Sequence, residues 1–154
     1  MTIIIIGLAV AVVFFFIVKS RIVTGATVKM ADIPAIFNKL KATGKDANFA
    51  AFCFRAPGTT LTDNAVNVQF SIEGGQIGFD WVLICQQNIQ DKDKFVQLAE
   101  QLGHKVVACE GNKVKYLRVT DGDLPKLCEA SIRDLYSIPL DAKLELIPEG
   151  FAWP

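Results

Sequence analysis

The amino-acid sequence predicts an α+β domain carried behind an N-terminal transmembrane helix. Three observations lead there. No charged residue occurs from Met1 to Val18. Apolar and polar residues alternate from Val66 to Glu73 and resume after Gly74-Gly75, as two paired strands would. Three further segments repeat their apolar residues at the spacing of one helical face, and these stand apart from the alternating ones.

The first element is the apolar run IIIIGLAVAVVFFFIV over Ile3 to Val18. With Thr2 it would span roughly 25 Å at 1.5 Å rise per residue, and it reaches a comfortable membrane length if Lys19 and Arg21 extend their charges toward the headgroups while Ile22 and Val23 continue the helix. A cleaved leader fits less well. The usual basic start is missing, and Lys19 and Arg21 separate the run from any small-residue cleavage site near Ala26. The segment 2–23 is therefore expected to be a retained single-pass anchor, 24–31 a tether and 32–154 the folded domain. Lys19, Arg21 and Lys29 follow the run whereas only Met1 and Thr2 precede it, so the domain is expected on the cytoplasmic side of a cell or inner membrane.

Ile33, Ile36, Phe37 and Leu40 form the first helical stripe, with Asp32 as cap, Pro34 in the first turn and Gly44 as the stop. Asn48 to Arg55 alternates as a strand that Pro57-Gly58 ends. In the hairpin around Gly74-Gly75, pairing Glu73 with Gln76 sets Ile72 opposite Ile77, Phe70 opposite Phe79 and Val68 opposite Trp81. All six fall on one face. A second helix is expected after a cap at Asn88 and closing at Gly103, with Phe95, Leu98, Ala99 and Leu102 as its apolar stripe. Lys105 to Cys109 and Lys113 to Val119 read as a hairpin turning at Gly111-Asn112, with Glu110 and Lys113 beside the turn. A third helix starts at Asp123, and an optional short strand at Leu144 to Ile147 is limited by Pro148.

Helix, three strands, helix, two strands, helix is an order similar to that of type III secretion chaperones, over roughly 32–136. The resemblance is one of element order and rests on no shared motif. It implies protein binding and dimerisation, whereas an anchor is a departure from those soluble proteins.

Equal numbers of basic and acidic residues, 16 each, remove the footprint expected of a nucleic-acid binder. Cys53, Cys85, Cys109 and Cys128 lack the close paired spacing of a zinc site, and His104 is the only histidine. They read as reduced, mostly buried residues, so no metal or cofactor is expected. Gly74-Gly75-Gln76 and Asp121-Gly122-Asp123 read as turn chemistry, and His104 as a helix-end residue.

The better candidate is a surface. If Phe52, Phe54, Val68, Phe70, Phe79 and Trp81 point inward, the other side of the sheet presents Arg55, Cys53, Asn67, Gln69, Ser71 and Asp80, a polar face that could take a partner. Val82 and Ile84 on that side suggest that part of it is covered. Trp153 is a further contact residue or folds back onto the domain. The sequence thus points to a membrane-anchored protein-interaction or adaptor module, with the membrane and a protein, another copy of the chain included, as partners. The alternative is a small membrane-associated enzyme or ligand-binding protein using Cys53, Asp80 and Arg55.

Overall fold

The computed structural model describes residues 25–111 and 113–154. The expected anchor at 2–23 lies outside them, and among the described residues no helix is long and apolar enough to cross a membrane. They form an α+β domain of one seven-stranded sheet and four helices.

In chain order the elements are β1 (Ala26–Lys29), a 3-10 turn (Met30–Asp32), α1 (Ile33–Thr43), β2 (Phe49–Arg55), β3 (Ala65–Glu73), β4 (Gln76–Val82), α2 (Gln86–Gln90), α3 (Lys92–Gln101), β5 (Val107–Gly111), β6 (Val114–Val119), α4 (Leu124–Tyr136) and β7 (Lys143–Glu149). The strands lie in the order β1-β7-β2-β3-β4-β6-β5, and every pairing is antiparallel. Consecutive hairpins account for the β2-β3-β4 and β6-β5 contacts. The last strand returns to the opposite side of the sheet.

The expected β3–β4 register is the one found, from Glu73↔Gln76 to Val68↔Trp81. Gly74 and Gly75 both have positive φ, at 58° and 78°, the twist that a two-residue loop needs and that side chains resist. Period-2 alternation then sends Phe52, Val68, Phe70, Phe79 and Trp81 to one face, where they meet Ile36, Phe37 and Leu40 of α1, Phe95 of α3 and Leu127 and Ile132 of α4. Phe70 touches Phe37, Phe52 and Phe79 edge to face, and Trp81 stacks on Phe95 with centroids 4.8 Å apart. The core is this contact between helices and sheet.

Four expectations need correction. Part of the segment read as a tether is β1, which pairs Ala26 with Leu146 and buries Val28. The expected second helix is two, α2 and α3, joined at Asp91; Asn88 is a buried residue inside α2 rather than a cap. Its amide bonds the backbone of Asn67, a contact twenty-one residues away that no local signal announces. β5 and β6 pair Gly111 with Val114, with Lys113 at φ 67°, so Glu110 stands opposite Lys115 and not beside Lys113. Finally, β7 runs through Pro148 to Glu149. Its neighbour β1 ends opposite Leu146, so Pro148 sits where β7 has become an edge, and a missing N–H on that side costs no ladder bond. The expected caps divide: Asp123 accepts from the Lys126 N–H, while Asp32 instead accepts from the Lys29 N–H at 2.8 Å.

Candidate functional site

The sheet face away from the helical layer carries the domain's polar residues, and its geometry follows from register. Gln69 pairs with Asp80 and Asp80 with Arg118, so an amide, a carboxylate and a guanidinium stand in one row across β3, β4 and β6. Ser71 pairs with Gly78 one step along. A Cβ at Gly78 would come within 2.5 Å of the Arg118 guanidinium carbon; glycine in mid-strand is what lets that group lie flat over β4.

Arg118 Nη1 donates to Asp80 Oδ1 at 2.6 Å and to Ser71 Oγ at 2.8 Å, while Nη2 donates to the carbonyls of Gln76 at 3.0 Å and Ser71 at 3.3 Å. The Ser71 hydroxyl donates to Asp80 Oδ2, which also accepts from Gln69 Nε2 at 3.3 Å. At the margin, Glu73 lies 3.6 Å from Arg118 and accepts from the Tyr116 hydroxyl.

Burial pushes the Asp80 carboxyl above its ordinary range, against the pull of Arg118, Ser71 and Gln69. Burial also works against the Arg118 charge, but Asp80 and then Glu73 outweigh it and hold that pKa up. Both partners are spoken for: Asp80 accepts three side-chain bonds and Arg118 donates four. The group reads as a lock that fixes the relative positions of three strands.

Of the six residues expected on this face, Asn67, Gln69, Ser71 and Asp80 are there but buried, Cys53 is half-buried and Arg55 is exposed at its end. Arg55 bonds Asn64, and Cys53, Asp80 and Arg55 share no hydrogen bond. Burial, then Glu145 and Cys85, push the Cys53 thiol up to about 12, and burial pushes Cys85 up to about 11, which leaves neither an activated nucleophile. The Asn67 Oδ1 and Gln69 Oε1 atoms are buried without a hydrogen-bond partner among the described residues. Phe49, Ala51 and Ile147 form a small apolar cluster on the same side, with Ile84 packed against it as the sequence suggested. Trp153 folds back onto the core, with Lys39 Nζ 5.8 Å from its ring centre.

The sequence reading missed Arg118, Tyr116 and Glu73 in this network. Alternation in β6 places Tyr116 and Arg118 on one side and Leu117 on the other, but only the β4–β6 register brings Arg118 to Asp80. A second buried carboxylate was also missed. Asp91, between α2 and α3, accepts from Gln87 Nε2, from Tyr136 at 2.9 Å and from Lys94 at 2.8 Å. Burial alone would raise its pKa, yet those three donors bring it below the ordinary value. Asp91 ties the α2–α3 joint to the end of α4. His104 sits against Gly122 and its Nδ1 meets the Asp121 carbonyl at 2.9 Å, a structural role. Comparison with family models, curated proteins and solved structures finds no match to this chain.

Proposed function

We propose that the chain is a membrane-tethered protein-interaction module: an inner-surface domain held at the bilayer by the 2–23 segment and presenting its sheet to a protein partner. The observation that carries this reading is the junction of an uncharged apolar run with a sheet domain. Met1 to Val18 holds no charge, Lys19 and Arg21 follow directly, and β1 begins at Ala26. Tethering raises the effective concentration of a binding domain near other membrane components, so weak contacts suffice.

The order of elements, similar to that of type III secretion chaperones, favours protein binding over catalysis as an analogy of fold. The engagement of Asp80 by Arg118, and the upward shifts of Cys53 and Cys85, favour recognition over a reaction on the opposite face. Crosslinking in cells tests the reading, with the full chain compared to one beginning near Thr24. A stoichiometric protein partner recovered only with the full chain supports it; no specific partner with either form overturns it.

A further inference from the structure

β5, one of the two edge strands with β1, has a single neighbour, β6, among the described residues, and most of its five residues are exposed. The direction of its backbone groups follows from one bond. Leu83 N–H donates to the Lys115 carbonyl at 2.9 Å, so Lys115 turns its backbone toward β4. In an antiparallel pair, residues alternate between those that exchange both backbone bonds and those whose groups point away from each other. The pair Glu110↔Lys115 is therefore of the second kind, and so is Ala108↔Leu117 two residues along. The N–H and C=O groups of Ala108 and Glu110 consequently point off the sheet.

Edge strands usually carry a proline, an inward charge or a bulge that blocks further pairing. The sequence of β5, Val-Ala-Cys-Glu-Gly, has no proline, and its register with β6 is unbroken over all five pairs. Its one charge, Glu110, lies on the helix-facing side with Ala108 and Leu117, where it opposes an apolar or acidic strand and admits a basic one. Its side chains specify what would fit. Val107 is 48% exposed, on the face that carries Arg118. Glu110 is exposed on the other face and makes no ion pair among the described residues.

We propose that β5 is a strand-addition site for an extended segment of a partner protein, one that places an apolar residue beside Val107 and a basic residue beside Glu110. The inference rests on the interaction-module reading and names where and how the partner sits. Backbone bonds to Ala108 and Glu110 supply affinity, and the two side chains supply register and choice of sequence. The free edge contributes two donors and two acceptors, and every second residue of the incoming strand meets them.

The test uses the full chain in neutral detergent micelles and an acetylated, amidated peptide of alternating valine and lysine. A matching valine and glutamate peptide serves as control. Hydrogen exchange is followed at the amides of Ala108 and Glu110. Both should exchange fast in the chain alone and slow by about tenfold or more with the lysine peptide, but not with the glutamate peptide. Glu110→Lys should reverse the preference. Ala108→Pro should abolish protection while circular dichroism stays unchanged, because the removed N–H belongs to no existing ladder bond.

Three results overturn the proposal: no protection at saturating lysine peptide with the fold intact, equal protection by both peptides, or protection in the chain alone that disappears on dilution. The last would mean that a second copy occupies the edge. Because exchange at β5 is read without any cellular partner, its failure is distinct from that of the interaction-module reading. A partner still recovered with the anchored chain would leave that reading standing and remove only the edge.

Discussion

The side chain of Asn88 takes a backbone's place in the sheet: its Oδ1 accepts from the Asn67 N–H at 3.1 Å and its Nδ2 donates to the Asn67 carbonyl at 2.7 Å. The β3–β4 register runs to Val68↔Trp81, and its next step would be Asn67 with Val82. There the amide of Asn88 supplies the donor and acceptor of a peptide unit. Its own carbonyl accepts from the Trp81 indole at 2.9 Å, which seats α2 against the end of β4. Both partners are buried, so the contact is shielded from competing water.

Replacing Asn88 with alanine should therefore orphan two buried backbone groups, at about 1–3 kcal/mol. Asn88→Asp keeps the acceptor, loses the donor and faces the Asn67 carbonyl with a second oxygen. Urea unfolding should show both variants less stable than the parent. A variant as stable as the parent would mean that Val82 recovers the ladder position.

Arg118→Met should cost about 3–5 kcal/mol, because it leaves Asp80 buried without its cation. Adding Asp80→Leu should recover much of that loss, since removing both charges removes the desolvation penalty together with the attraction. A double-mutant cycle by chemical denaturation measures the coupling. Additive losses would show that the two residues act independently.

Gly78→Ala tests the same group by shape. The new methyl would meet the guanidinium of Arg118, which four hydrogen bonds hold in place, and a loss of about 1–3 kcal/mol is expected from overpacking. Combined with Arg118→Met the alanine should cost much less, since a flexible thioether can move aside.

Asp91 gives a pH dependence with a definite sign. Its folded pKa lies below its ordinary value of 3.8, so the carboxylate favours folding above that value, and the contribution is lost as pH falls through the folded pKa. The stability difference between the parent and Asp91→Asn should thus be constant near neutrality and shrink in acid. Tyr136→Phe, which removes one donor to Asp91, should move the loss to higher pH. Thermal unfolding from neutral pH down to about pH 2 measures both, a span chosen to bracket an ordinary carboxylate.

Thiol reactivity should follow burial. All four thiols are pushed up by desolvation, Cys53 to about 12 and Cys85 to about 11. At pH 8 their thiolates are scarce, so alkylation followed by mass spectrometry should label Cys109 first, because it lies on the edge strand β5 among exposed neighbours whereas half-buried Cys53 lies on an internal strand. The others should react on the timescale of unfolding. Fast labelling of Cys53 in the folded chain would show that the opposite sheet face opens readily.

The parts legible in the sequence are those set by neighbours along the chain. The alternation of Val66 to Ile72 about Gly74-Gly75 specified both register and inward face, because a strand's period is two and a two-residue loop leaves no slack. The stripe Ile33, Ile36, Phe37 and Leu40 specified α1 and its buried side in the same way. The uncharged run before Lys19 and the even balance of charges were equally plain.

Tertiary structure decided whatever depends on contact between distant segments. Asn67, Gln69, Ser71 and Asp80 lay on the expected face, but alternation assigns a face and says nothing of what buries it. Arg118 joins Asp80 from thirty-eight residues away, through a strand pairing that no local pattern encodes. Asn88 looked like a cap because a side-chain amide satisfies backbone groups wherever they are exposed, and only the fold placed Asn67 within its reach. The same limit applies to β5, whose composition reads as an ordinary strand. Only the order of the whole sheet makes it one of the two edge strands, with its backbone groups open to a partner.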